Sequence, residues 1–344
     1  MDATFLTDLP GGRWREHRFE SDALKGNALG DPHVRPLYVW TPPSYDGGAA
    51  RYPVVYELQG FTGIAAGWFN VRTWERSWPA EIDVLCPEAI VVLLDAFTSI
   101  GGSQFVDSPA IGDYHTYLCD EVVPWVDLEY RTSGVRAIQG KSSGGYGAMV
   151  TPMLRPGLFH GVATHAGDAL FDISYRRSFV EAARSLRDHY DGSFEGFIED
   201  FRSRSGRELV MKKTDHALIE VWAMAAAYSA GEIPFETETG TVREDVFARW
   251  LAWDPVRMAA EERYAEGLRG LRAIWIDAGM SDEFFLDIGA HAFRRAVAAA
   301  GVDADRVQFE LHEGGHFNTS WRYPLALAWL VERLNARAPG APSA

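Results

Sequence analysis

Cysteine and positive charge are both scarce in this chain. Only Cys86 and Cys119 occur among its 344 residues. They lie far apart and outside any metal-ligand spacing, which excludes a disulfide scaffold and a cysteine-based zinc site. Both read as small buried hydrophobes. Lys and Arg total 33 against 48 Asp and Glu, a formal net charge of −15. Nucleic acid and anionic membrane surfaces need clustered cations, so neither is an expected partner. The expected ligand is a small molecule. No run approaches the roughly 18 apolar residues that a membrane-spanning helix needs. The opening residues MDATFLTDLPGG lack the basic and apolar regions of an export signal. The expectation is a soluble, cytoplasmic protein of open oligomeric state.

What is present is alternation. Short apolar runs at 35–42, 52–60, 89–96, 135–140, 161–167, 271–279 and 307–314 read as strands. Helical patterns such as YLCDEVVPWVDLEY and LDIGAHAFRRAVAAAG lie between them. Strand and helix in alternation predict a mostly parallel sheet covered on both faces. Residues 170–268 break the rhythm with amphipathic segments: Phe194, Phe197, Ile198 and Phe201 fall at helical spacing, as do Val246, Phe247, Trp250 and Leu251. Asp254 before Pro255 is a helix start. The reading is a core of residues 1–169 and 269–344, with 170–268 inserted as a helical cap over one end of the sheet, where open α/β sheets place their ligand crevice.

The run VRAIQGKSSGGYGAMV, residues 135–150, contains Gly-Lys-Ser, the end of a phosphate-binding loop. That loop needs a glycine five positions before the glycine of the tripeptide, so that backbone N–H groups can wrap the phosphates. Val135 stands there instead. The same letters satisfy Gly-x-Ser-x-Gly as Gly140-Lys141-Ser142-Ser143-Gly144, after an apolar strand and before a Gly/Ala-rich helix. Small residues on both sides allow a sharp strand-to-helix turn that holds Ser142 exposed as a nucleophile.

A serine hydroxyl needs a base to take its proton, and the imidazole that does so needs an acid to orient it. At the end of the strand near 271–279 and in the loop beyond it come Asp277, Asp282 and Glu283, and after the last strand comes His316. The order Ser, Asp, His is that of an α/β-hydrolase. Asp282 is chosen because it lies in the loop beyond its strand. Asp277, at the strand end, is expected to brace the turn through backbone hydrogen bonds. Residues 312–316, HEGGH, also match the His-Glu-x-x-His zinc signature. That signature needs a helix, and two central glycines cost a helix about 2 kcal/mol relative to alanine. His312 is therefore read as a strand-end residue, and no metal is expected. The N–H groups of Phe61, after the turn at Gln59-Gly60, and of Ser143 are the expected oxyanion donors.

With these residues in place, the chain resembles the putative-esterase branch of the α/β-hydrolase superfamily, which includes S-formylglutathione hydrolases, feruloyl esterases, enterobactin-type esterases and mycolyl-transferring esterases. The matching pieces are YPVVYELQGFTG, DSPAIGDYHTYLCDEVVPWVD, IQGKSSGGYGAM, WIDAGMSDEFF and HEGGHFNTSW. The resemblance implies an α/β-hydrolase fold, the triad Ser142, Asp282 and His316, and the donors Phe61 and Ser143. S-formylglutathione hydrolases carry Leu-Thr-Cys after the oxyanion glycine, whereas this chain has Phe61, Thr62 and Gly63 and a longer insertion. A role in formaldehyde detoxification is therefore not expected.

The function read from these features is a serine carboxylic-ester hydrolase without a cofactor, acting on a small-molecule ester. The alternatives are an acyltransferase or thioester hydrolase of the same fold, a zinc metallohydrolase, and a non-catalytic binding module. Trp68, Phe105, Tyr146, Phe317 and Trp321 are candidate substrate contacts, joined by Phe61 and Phe69. Each is equally compatible with a place in the core.

Overall fold

The computed structural model describes residues 13–70, 76–85, 87–204 and 211–336; Cys86 lies outside the described residues. In chain order, strands β1 (Trp14–Glu20), β2 (Val34–Trp40) and β3 (Tyr52–Leu58) precede helix α1 (Trp78–Leu85), β4 (Ile90–Leu94), α2 (Val123–Glu129) and β5 (Thr132–Lys141). Helix α3 (Ser143–Leu154) and β6 (Gly161–His165) follow. Five longer helices then intervene, α4 (Arg176–Tyr190), α5 (Phe194–Ser203), α6 (Asp215–Ser229), α7 (Glu244–Leu251) and α8 (Glu262–Arg269), with short helices at Phe171–Ser174 and Pro255–Met258. The chain closes with β7 (Ala273–Gly279), α9 (Leu286–Ala299), β8 (Val307–His312) and α10 (Arg322–Asn335).

The eight strands form one sheet in the order β1-β2-β4-β3-β5-β6-β7-β8. From β4 to β8 every pairing is parallel, and β2 is antiparallel to both β1 and β4. Every residue of β3, β4, β6 and β7 is buried. That is why they read as unbroken apolar runs: parallel strands covered on both faces have no wet side to alternate toward. Strand β1, WREHRFE, was not among the expected strands. Its Arg15, Glu16, Arg18 and Glu20 suit an edge, where charge discourages pairing with other chains, and they hide a strand from a reading based on apolar runs.

Helices α1 and α10 cover one face, with Trp78, Ile82, Leu327 and Leu330 packed on Val55, Val91 and Ala137. The other face shares a larger buried cluster with α2, α3 and α9, and this cluster extends without a break into Phe179, Phe197, Trp222 and Trp250 of the intervening helices. Among those helices, Asp254 is the helix cap that the sequence signals: its Oδ1 accepts from Val256 N at 3.0 Å. It also accepts from the N–H groups of Leu170 and Phe171 at 3.1 and 3.0 Å, tying the exit of β6 to the helix at Pro255. No helix of the described residues is long and apolar enough to cross a membrane.

Candidate active site

The turn after β5 places Ser142 at φ 56° and ψ −125°, a conformation that costs a non-glycine residue energy and persists only where its surroundings enforce it. The two motif glycines are part of that enforcement. A Cβ on Gly140 would lie 2.4 Å from the carbonyl of Gly144, and one on Gly144 would lie 2.2 Å from Leu58 O. The elbow thus closes on itself and against the end of β3. Gly60 sits beside it, since a Cβ there would be 3.2 Å from Lys141 O. The next residue, Phe61, makes no backbone N–H bond among the described residues, while Thr62 N bonds Gly101 O at 2.8 Å. Ser143 is the first residue of α3, so its N–H precedes the helical ladder.

Two loops on, Asp282 and His316 meet. His316 Nδ1 lies 2.8 Å from Asp282 Oδ2, with both side chains buried. The other Asp282 oxygen accepts from Phe284 N at 2.9 Å and Leu286 N at 3.4 Å, so the carboxylate is held at both ends. Glu283 does for the backbone what Asp282 does for the ring: its Oε2 accepts from His316 N at 2.6 Å. Gly315 lets the chain pass that carboxylate, because a Cβ there would fall 2.6 Å from Glu283 Oε2. Sequence reasoning saw Glu283 only as a discarded rival to Asp282.

Asp277 differs from expectation. It grips side chains rather than turn backbone: His165 Nδ1 at 2.8 Å, Trp275 Nε1 at 2.7 Å and Arg322 Nε at 2.8 Å. Burial alone would push this carboxyl up, but His165, Trp275 and Arg322 together bring it down to about 2. This buried knot lies beneath the site, where His165 O accepts from Ser142 N at 3.0 Å. Segment 312–316 is a strand end followed by bends, without the helix that a His-Glu-x-x-His metal site needs. His312 Nδ1 faces Glu313 O at 3.0 Å. Among the described residues no group of three or more His, Cys, Asp and Glu is placed to hold a metal.

Ser142, Ser143, Phe61, His316 and Phe317 line one cleft of about 310 Å³. Of the other aromatic candidates, none lines it. Trp68 packs edge-on to Tyr323 in the core on the opposite face of the sheet. Phe105 is buried against Gly147, and Tyr146 is fully buried with its hydroxyl on Trp253 O. Trp321 lies half-exposed against His312, and Phe69 packs on Trp14 and Tyr38. Proximity in sequence to a motif does not carry a side chain to its pocket when the element between turns it toward the core.

The cleft also receives residues that no motif announced. Helix α6 presents His216, Glu220 and Met224 to it at a spacing of four, one stripe of an otherwise buried helix. Asp168, three residues past β6, and Tyr175 complete that wall. Asp168 Oδ2 accepts from Tyr175 Oη at 3.0 Å and from Ser143 Oγ at 3.2 Å. Burial pushes Asp168 up to about 6, reinforced by the neighbouring Glu220 and opposed by the Tyr175 hydroxyl. Burial likewise pushes Glu220 up to about 6, against the hydrogen bond from Ser178 and the charge of Arg177. The signal available for Glu220 was a single acid inside the apolar run ALIEVWAMAAAYS.

The family model described as putative esterase matches residues 31–329. Among solved structures, a ferulic acid esterase superposes with a TM-score of 0.58 at 20% identity, covering 93% of this chain and 98% of that one. An S-formylglutathione hydrolase from Agrobacterium tumefaciens gives 0.57 at 18% identity, covering 94% and 95%. MPT51 of Mycobacterium tuberculosis gives 0.53 at 14%, covering 93% and 99%. These likenesses show the α/β-hydrolase fold. No curated protein matches the chain. With its family model spanning nearly the whole sheet, the chain belongs to the putative esterase family and is a carboxylic-ester hydrolase.

Proposed function

We propose that the protein hydrolyses small-molecule esters through a covalent acyl-enzyme formed on Ser142. The observation that carries this reading is the 2.8 Å contact between His316 Nδ1 and Asp282 Oδ2, on the cleft that also holds the strained Ser142. With Nδ1 occupied by the carboxylate, Nε2 is the ring atom left to accept a proton. Ser142 Oγ attacks the acyl carbon while His316 takes its proton, and the carbonyl oxygen becomes an oxyanion held by the N–H groups of Phe61 and Ser143. Collapse expels the alcohol, which leaves with the proton from His316. Water then enters by the same route in reverse, giving up its proton to His316, and the second collapse returns Ser142 and the free acid. Asp282 orients the imidazole and stabilises its charged form throughout.

The helices between β6 and β7 act in this reading as a cap. What supports it is that α6 and the segment at Ser174 and Tyr175 wall the cleft, so the cap shapes the pocket without entering the chemistry. A fluorophosphonate is expected to add to Ser142 and spare Ser143, and Ser142→Ala to lose about 10⁴-fold in kcat. Labelling at Ser143, or a Ser142→Ala enzyme that keeps most of its activity, defeats the assignment. Running the assay with and without an alcohol acceptor separates hydrolysis from acyl transfer.

A further inference from the structure

The cleft holds more acid than ester hydrolysis uses. Asp168 and Glu220 come from elements far apart in sequence and converge on the space that contains Ser142. Asp168 is only 6% exposed, and its Oδ1 makes no hydrogen bond among the described residues, since Tyr175 and Ser143 both occupy Oδ2. Glu220 is half-buried on the cleft side. Ser178 Oγ binds its Oε2, and Oε1 has no partner among the described residues. Neither oxygen is sealed from the cleft, so each is free to accept an N–H donor that a ligand supplies.

The surroundings select the kind of donor. No lysine or arginine is among the described residues lining the cleft, while Phe61, Tyr175, Phe284 and Phe317 give it aromatic faces. Carboxyl oxygens beside aromatic rings are the chemistry that receives an ammonium ion: the oxygens take its N–H groups and the rings attract its charge. The charged groups around the pair fit that role. Arg177 stands behind Phe284, with its guanidinium 4.8 Å from the ring centroid, and pairs with Glu181. Burial, with Arg177, holds the His216 imidazole below its ordinary value, and so toward its neutral form. His316 faces Asp168 from the triad side and is engaged by Asp282.

We propose that the part of the cleft between Asp168 and Glu220 binds a protonated amine carried by the ester, so that the preferred substrates are esters of amino-functional acids or of amino alcohols. The inference rests on the serine-esterase reading for where the ester lies. The amine subsite can nevertheless be tested without turnover.

In the binding arm, n-butylammonium chloride, n-butanol and sodium butyrate are titrated into the full chain by calorimetry near neutral pH. The ammonium ion is expected to bind at least about tenfold more tightly than the alcohol or the acid, and Glu220→Gln and Asp168→Asn each to reduce that advantage by about tenfold. Both carboxyls are pushed up to about 6, so the advantage is expected to shrink as pH falls through that value and the acids become neutral. Equal affinity for ammonium and alcohol, or an ammonium affinity indifferent to acid and to Glu220→Gln, overturns the proposal. Melting curves of both variants show that the binding protein is folded.

In the turnover arm, kcat/KM is compared for para-nitrophenyl esters of an ω-amino acid, of the neutral acid of the same length and of the matching dicarboxylic half-acid. Aminoethyl benzoate is compared with propyl benzoate in parallel. The amine is expected to win by about tenfold on one of the two sides of the ester, which identifies the side lodged at Glu220, and the ratio is expected to fall toward one in Glu220→Gln. Neutral esters turned over through Ser142 with no preference for an amine would overturn the subsite and leave the esterase standing. Ammonium binding without hydrolysis of any ester would do the reverse.

Discussion

The loops that carry Ser142 and His316 and the helix that carries Glu220 face the same cleft and are held by opposite means. At the elbow and beside the His316 loop, backbone approaches backbone so closely that Gly140, Gly144 and Gly279 have no room for a Cβ. Helix α6 is held instead by bulk: Leu218, Val221, Trp222 and Tyr228 are buried among the rings of α4, α5 and α7, and its three cleft residues sit on the remaining stripe. Tight backbone geometry admits few residue types and leaves a motif. Packing by bulk admits many, so a residue facing the pocket looks like any other helix residue. On the proposed function, chemistry and selectivity are thus assigned to two parts of the chain with different tolerance for change.

Removing His316 breaks the comparison on the chemical side and is expected to have the largest effect. His316→Ala should lower kcat by about 10⁴-fold on every ester alike, while His312→Ala keeps most of the activity because its ring lies against Glu313 O and Trp321 outside the cleft. A dependence on both histidines of similar size would favour the zinc signature over the triad.

The legibility of the chain follows the same division. The seven apolar strands could be read because β3, β4, β6 and β7 are wholly buried and the other three carry apolar runs on the same sheet, and the triad candidates because the turns that deliver them need glycine. Asp254 could be read as a cap from Asp-Pro alone. Strand β1 was illegible because its pairing with β2 is made by backbone groups while its side chains are mostly charged and exposed. Asp168 was illegible because an acid after a strand is ordinary, and only the fold brings it beside Ser143. Trp68, Phe105 and Tyr146 illustrate the converse, since a bulky ring near a motif fills the core as readily as the pocket.

Trp250→Ala sharpens the comparison from the helical side. This ring is fully buried against Phe179, Tyr175 and Tyr228, and its Nε1 donates to Ser229 Oγ at 2.8 Å. Truncation should cost about 3 to 5 kcal/mol. Because the buried cluster runs unbroken from sheet to helices, the loss is expected as a lower melting temperature of a single transition. Tyr175, which lines the cleft, loses a neighbour, so the ranking among bulky esters should change more than the rate on an acetate. A uniform slowing of all esters in folded protein would mean that the helices only cover the sheet.

Glu283→Gln tests the border between the two regions. The carboxylate holds His316 N but does not line the cleft, so it positions the loop without touching substrate. The amide can still accept through its oxygen, more weakly. A loss of about 10-fold in kcat with little change in KM is expected, and a larger loss for Glu283→Ala. Equal kinetics for the wild type and both variants would show that the glycine turn alone sets the position of His316.

The test that leaves the ester chemistry untouched, and so separates fold from site, concerns Glu57. This residue of β3 is fully buried, neither of its oxygens has a hydrogen-bond partner among the described residues, and its register neighbour Gln139 has an unpartnered Oε1. Burial pushes its carboxyl well above the ordinary glutamate value. The folded chain therefore keeps this proton at pH values where the unfolded chain, with an ordinary glutamate near 4.3, has released it. More protons are bound in the folded state across that window, so the contribution of Glu57 to stability is complete below the unfolded value and declines as pH rises, by about 1.4 kcal/mol per pH unit, until the folded value is passed. Glutamine keeps the shape, cannot ionise and has no such slope. The melting temperature of Glu57→Gln should therefore gain on that of the wild type as pH is raised from about 5 to 8, with the ester preference unchanged because Glu57 faces α10 and not the cleft. A difference between the two melting temperatures that stays constant over this range would mean that Glu57 is already ionised in the folded protein.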